Sequence, residues 1–87
     1  MAEETLLEFP CDFPIKMMGR DSDEFRKIAR ELVEKHAGPI ADEAVQTSVS
    51  AKGNFVSVTI TITATSRAQL DDIYREITAH DAVIMAL

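Results

Sequence analysis

Phe55-Val56-Ser57-Val58-Thr59-Ile60-Thr61-Ile62-Thr63-Ala64-Thr65 is the stretch that decides the fold. Val56, Val58, Ile60, Ile62 and Ala64 fall on one side of an extended chain, and Phe55 with the Ser and Thr residues on the other. Side chains alternate across a strand, so this segment has one buried face and one hydroxyl-lined face. Such a strand anchors a sheet that helices cover on one side only.

Working outward, Ala44 to Ser50 alternates in the same way, with Val45, Thr47 and Val49 sharing a face. The polar, glycine-bearing Ala51-Lys52-Gly53-Asn54 between the two runs predicts a hairpin. Downstream, Ser66 and Gln69 stand at capping-box spacing, and Leu70, Ile73, Tyr74 and Ile77 form one helical stripe, so a helix is expected over 66–79. Upstream, Phe25, Ile28, Ala29, Leu32, Val33 and His36 fit a 3.6-residue period, and a helix is expected over 22–37. Asp21 and Glu24 offer its capping box, Glu31 and Lys35 an i,i+4 pair, and Gly38-Pro39 its stop, with 40–43 a connecting loop.

Phe13 to Met18 reads as the first strand, with Phe13, Ile15 and Met17 on one face. Pro14 cannot donate to a ladder, so regular pairing is expected from Ile15. Ala82 to Leu87 reads as the last strand, with Val83, Met85 and Leu87 inward and Ala82, Ile84 and Ala86 on the open face. Residues 1–12 are expected to be an extended leader, with Met1 to Thr5 frayed and Leu6, Leu7 and Phe9 packing on the domain edge ahead of Pro10. Residues 13–87 then form a single domain of order βαββαβ. Right-handed crossovers predict an antiparallel sheet of order 4-1-3-2 with both helices on one face, the ferredoxin-like α+β sandwich.

Composition narrows the function classes. A chain of 87 residues buries one modest core. Nine basic against fifteen acidic residues give a net charge of −6, a field that repels phosphate backbones. RNA-binding relatives of this fold stack bases on aromatics of the two central strands. Met18, Thr59 and Thr61 occupy those positions here, with Phe55 near the strand start, so nucleic acid is not an expected partner. The longest apolar run, Ala82 to Leu87, is too short to span a membrane. Met1-Ala2-Glu3-Glu4 opens acidic, unlike a secretory signal, and a cytoplasmic location is the expectation. The single cysteine, Cys11, stands beside Asp12 with no basic neighbour to lower its pKa, and reads as a small side chain in a loop.

Candidate sites are few. Met18-Gly19-Arg20-Asp21 joins the first strand to the first helix, where Gly19 permits unusual backbone angles and a small ligand could approach. Lys52-Gly53-Asn54 is the hairpin tip, explained by turn chemistry yet available to a partner. The open sheet face is expected to carry Lys16, Met18, Gln46, Ser48, Ser50, Ser57, Thr59, Thr61 and Thr63 with the aliphatic Ala82, Ile84 and Ala86. His36 and His80 each end a helix, where positive charge is favourable, and no third ligand accompanies them. Asp71 and Asp72 point about 100° apart on a helix and cannot converge on one atom. No catalytic constellation, metal site or cofactor is implied.

Leu6-Leu7-Glu8-Phe9-Pro10, Lys16 with Met18-Gly19, Lys52-Gly53-Asn54, Ser57-Val58 with Ile60, and Met85 with Leu87 resemble the YbeD-like family of small bacterial proteins, over Leu6 to Leu87. The resemblance implies a ferredoxin-like fold similar to the ACT regulatory domains of amino-acid metabolism. It brings no biochemical activity with it, only a genetic context beside lipoate attachment. Cys11 lies outside the family pattern, and Ile84 stands where a polar residue can occur. Two functions are therefore expected. One is a non-catalytic regulatory or small-molecule-binding module using Met18 to Asp21. The other is a protein-interaction adaptor using Lys52 to Asn54, Thr59, Thr61 and Ile84. A monomer that dimerises weakly through Ile84 is the expected state of association.

Overall fold

The elements run β1 (Cys11–Arg20), α1 (Asp23–Ala37), a 3₁₀ turn (Asp42–Ala44), β2 (Val45–Val49), β3 (Phe55–Ala64), α2 (Arg67–Ala79) and β4 (Met85–Ala86). The computed structural model describes residues 8–50 and 52–87. The readings placed on Met1 to Thr5, on Leu6 and Leu7 and on Ala51 lie outside these. The sheet order is β2-β3-β1-β4 and every pairing is antiparallel, which is the expected 4-1-3-2 order read from the other edge.

β3 carries the core. Val56, Val58, Ile60, Ile62 and Ala64 are all buried, and they pair across β1 with Gly19, Met17, Ile15, Phe13 and Cys11. Phe25, Ala29 and Val33 of α1 and Leu70, Ile73 and Ile77 of α2 close the core from above. Fully burying each large apolar side chain is worth roughly 1.5–3 kcal/mol. Phe13 and Tyr74 meet edge to face at 6.4 Å on the rim, and the Tyr74 hydroxyl donates to the Leu87 carbonyl at 2.8 Å. Burial raises the Tyr74 pKa above its ordinary value.

Local chemistry sets the boundaries. Ser22 caps α1 by accepting from the Phe25 N–H at 3.0 Å, and Ser66 caps α2 by accepting from the Gln69 N–H at 3.1 Å. The cap of α1 lies within the expected segment Asp21 to Glu24, and of the two candidates it is Ser22 and not Asp21 that accepts the bond. The side chain of Asp21 instead pairs with Arg26, so a serine does the capping and the aspartate is left for the ion pair. Gly38 ends α1 at φ 81°, with its N–H on the Glu34 carbonyl.

β1 starts at Cys11, earlier than Ile15, so Cys11 and Asp12 belong to the sheet and not to a leader, and Phe9 packs against the core. Pro14 is paired opposite Thr61 within β1. Lys16 and Met18 turn their carbonyls toward β4, so the even residues of β1 address that side, and β3 loses no bond to the proline.

The last strand differs most from expectation. Only Met85 and Ala86 pair with β1, opposite Met18 and Met17. Ile84 N–H donates to the Met18 carbonyl and Leu87 N–H to the Lys16 carbonyl, so the C-terminal segment carries one residue more than β1 between the same two bonds. This bulge resets the alternation. Met85 therefore faces the open side with Met18, and Ala86 turns inward with Met17. Ala82, Val83 and Ala86 pack against the core, while Ile84, Met85 and Leu87 are exposed. Of the expected outward set, Ile84 is exposed while Ala82 and Ala86 turn in; of the expected inward set, Val83 packs on the core while Met85 and Leu87 are exposed.

Candidate functional site

Gly19 lies inside β1 with an ordinary extended backbone, so conformational freedom is not its role. Its role is close approach. A Cβ there would stand 2.4 Å from Phe25 Cε1 and 2.7 Å from the Ala82 carbonyl oxygen. The absent side chain lets α1 and the α2–β4 connection settle onto the end of β1.

That settling creates a groove of about 360 Å³. Phe25 and Ile28 of α1, with Ala82 and Ile84 of the connection, give it apolar walls. Arg20, Ser22, Glu24, His80 and Asp81 supply polar groups. The helices run antiparallel, so the end of α2 meets the start of α1, which brings His80 and Asp81 beside Ser22 and Glu24. The Ala82 N–H donates to His80 Nδ1 at 3.1 Å, which places the proton of the neutral imidazole on Nε2 as a donor.

Of the stretch Met18 to Asp21, only Arg20 lines this groove. Met18 is on the open sheet face, Gly19 is buried under Phe25, and Asp21 is held by Arg26. The Asp21 N–H reaches the Asn54 carbonyl at 3.1 Å, so the hairpin tip and the β1–α1 turn meet at one end of the sheet. Gly53 turns that hairpin at φ 73°, with its N–H on the Ser50 carbonyl. Thr59 and Thr61 lie along the open face away from the groove, and Ile84 sits at the groove rim with 55% of its surface exposed. Phe25, Ile28, His80 and Asp81 were not legible as a site. Two of them fit the core stripe and two follow a helix, and only the helix packing unites them.

The two histidines make separate contacts. His36 meets Glu76 of α2 at 2.7 Å, and Lys35 meets the other carboxylate oxygen at 3.1 Å. Gln69 Nε2 donates to the His36 carbonyl at 3.0 Å, fastening the two helices further. The Lys35 ammonium, then the His36 ring, hold the Glu76 carboxyl below its ordinary value of 4.5. A depressed carboxyl pKa stabilises the fold above the unfolded value and loses that effect as the pH falls through the folded one. Glu76→Gln is expected to lower stability at neutral pH and to converge with the unsubstituted chain well below pH 4.5, as read by urea unfolding at each pH.

Among the described residues, no group of three or more His, Cys, Asp or Glu side chains is placed to hold a metal ion. No helix among them is long and apolar enough to cross a membrane.

Residues 4–87 match the family described as "Protein of unknown function (DUF493)". The chain is 45% identical over 84 residues to a UPF0250 protein of Paraburkholderia phytofirmans, covering 97% of this chain and 94% of that one. It is 41% identical to the UPF0250 protein NE1487 of Nitrosomonas europaea over 87 residues, the whole of both chains. The solution structure of protein HP0495 from H. pylori superposes with a TM-score of 0.72 at 18% identity, over 93% of this chain and 85% of that one. That likeness supports the ferredoxin-like fold alone. With the matches running nearly end to end, the chain belongs to the DUF493 family of small bacterial proteins, the YbeD-like family that its sequence resembles.

Proposed function

We propose that this protein is a non-catalytic, small-molecule-binding module of the ACT-like regulatory kind, and that its ligand occupies the groove between Arg20, α1 and the α2–β4 connection. The observation that carries this reading is the pairing of apolar walls with polar groups of both signs in one concavity. Arg20 and the His80 Nε2–H suit a carboxylate. Glu24 and Asp81 suit an ammonium group, and Phe25, Ile28 and Ile84 suit a short apolar chain. An apolar amino acid satisfies all three, and a short fatty acid such as lipoate satisfies the first and last. A setting in lipoate metabolism is part of the same proposal.

Titration with apolar amino acids and with lipoate, followed by amide shifts, tests it. Shifts are expected at Arg20, Phe25, Ile28 and Ala82, with loss of the response in Arg20→Gln. Unmoved groove amides with every compound would sink the reading.

An adaptor that docks on an enzyme is the second reading. It is favoured by the open-face cluster of Met18, Met85 and Phe55, the last two exposed, beside the Lys52 hairpin. Met85→Lys, with unchanged groove titration, separates it from the first by abolishing a stoichiometric pull-down partner.

A further inference from the structure

Among the described residues, β2 is an edge strand with no strand paired to its outer side. Ser50 N–H donates to the Phe55 carbonyl at 2.8 Å, which fixes the hydrogen-bonding parity of the hairpin. Gln46 and Ser48 therefore address β3 with their backbone groups, and Val45, Thr47 and Val49 address the outside. No described strand pairs with that outer side. Natural edge strands are protected by charge, proline or a bulge. Val45-Gln46-Thr47-Ser48-Val49 has no charged residue and no proline, and its register with β3 is unbroken. Val49 is 49% exposed, and Thr47 is exposed too, although both share the helix-side face with buried Val56 and Val58.

The strand is also close to a palindrome. An antiparallel pairing centred on Thr47 sets Val45 of each copy opposite Val49 of the other on the helix-side face. It sets Gln46 opposite Ser48 on the open face. Of the flanking acids, Asp42 is already held by Arg30 at 2.9 Å, and the same register brings the end that carries Glu43 in each copy toward the Lys52 end of the other. We propose that the outer edge of β2 pairs with the same edge of a second copy of this chain about a two-fold axis at Thr47, joining two four-stranded sheets into one of eight strands.

This is an isologous contact, with each patch serving as its own complement. One short strand and its flanks bury less than the roughly 1,200 Å² of a standard interface, so the dimer is weak and concentration-dependent. This contact is separate from the Ile84 surface, which lies at the groove rim.

Sedimentation velocity of the full chain from about 10 μM to about 1 mM reads the association. The sedimentation coefficient is expected to rise toward that of a dimer. Hydrogen exchange at the Thr47 and Val49 amides is expected to slow over the same range, a readout that needs no variant. Thr47→Lys and Thr47→Glu each set like charges directly opposite across the axis and are expected to weaken association about two- to fivefold. An equimolar mixture of the two is expected to restore it. A monomer at every concentration, a dimer indifferent to both substitutions, or a mixture no better than its components would overturn the proposal.

Discussion

Gly19→Ala is expected to lower the melting temperature by about 5–20 °C. An added Cβ stands 2.4 and 2.6 Å from two ring carbons of Phe25 and 2.7 Å from the Ala82 carbonyl oxygen. Neither neighbour can step aside cheaply. Phe25 is 2% exposed at the start of α1, and the Ala82 oxygen belongs to a backbone fixed by His80 on one side and by the core on the other. Overpacking of this kind costs about 1–3 kcal/mol, and each kcal/mol moves the midpoint of a domain this size by about 4–8 °C. Thermal unfolding followed by circular dichroism measures it. A midpoint within about 2 °C of the unsubstituted chain would show that α1 and the connection are not seated on β1 as described.

Phe25→Ala is expected to cost more, about 3–5 kcal/mol, because a ring is removed from a closed core and the space is only partly refilled. Total stability on the order of 0.05–0.15 kcal/mol per residue leaves little reserve against such a loss. The urea midpoint should fall steeply with little change in slope. The two substitutions touch the same space, so they should not add. In the Gly19→Ala background the ring is already displaced, and its removal should cost less by about 0.5–3 kcal/mol. Additive losses would mean that Phe25 and the alanine methyl do not compete for one volume.

The division between what the sequence reveals and what it withholds follows the range of the interaction concerned. β3 and the two helices are legible because their burial repeats every second residue or every 3.6 residues, a local property. The order of the sheet follows from that pattern and from crossover handedness. β4 is misread because a single extra residue opposite Met18 reverses the parity of Met85, Ala86 and Leu87, and no residue type in Val83-Ile84-Met85-Ala86 announces the reversal. Gly19 is misread for a related reason. A glycine needed for close approach looks the same in a sequence as one needed for a turn. The groove is hidden because Phe25 and Ile28 fit a core stripe, while Arg20, His80 and Asp81 belong to separate segments that only antiparallel helix packing brings together. The hairpin and the β1–α1 turn are likewise two unrelated polar stretches until the Asp21 N–H bonds the Asn54 carbonyl.

Pro14 leaves one flank of the sheet ill suited to a further strand. Its nitrogen lies on the β4 side of β1, where any incoming strand would need a donor and find none, and the bulge at Ile84 and Met85 distorts the remaining rungs on that flank. Among the described residues, the opposite flank has neither obstacle. On the proposed β2 pairing, one receptive margin and one refractory margin let each molecule pair once. Concentration would then drive the chain into couples and not into a ribbon.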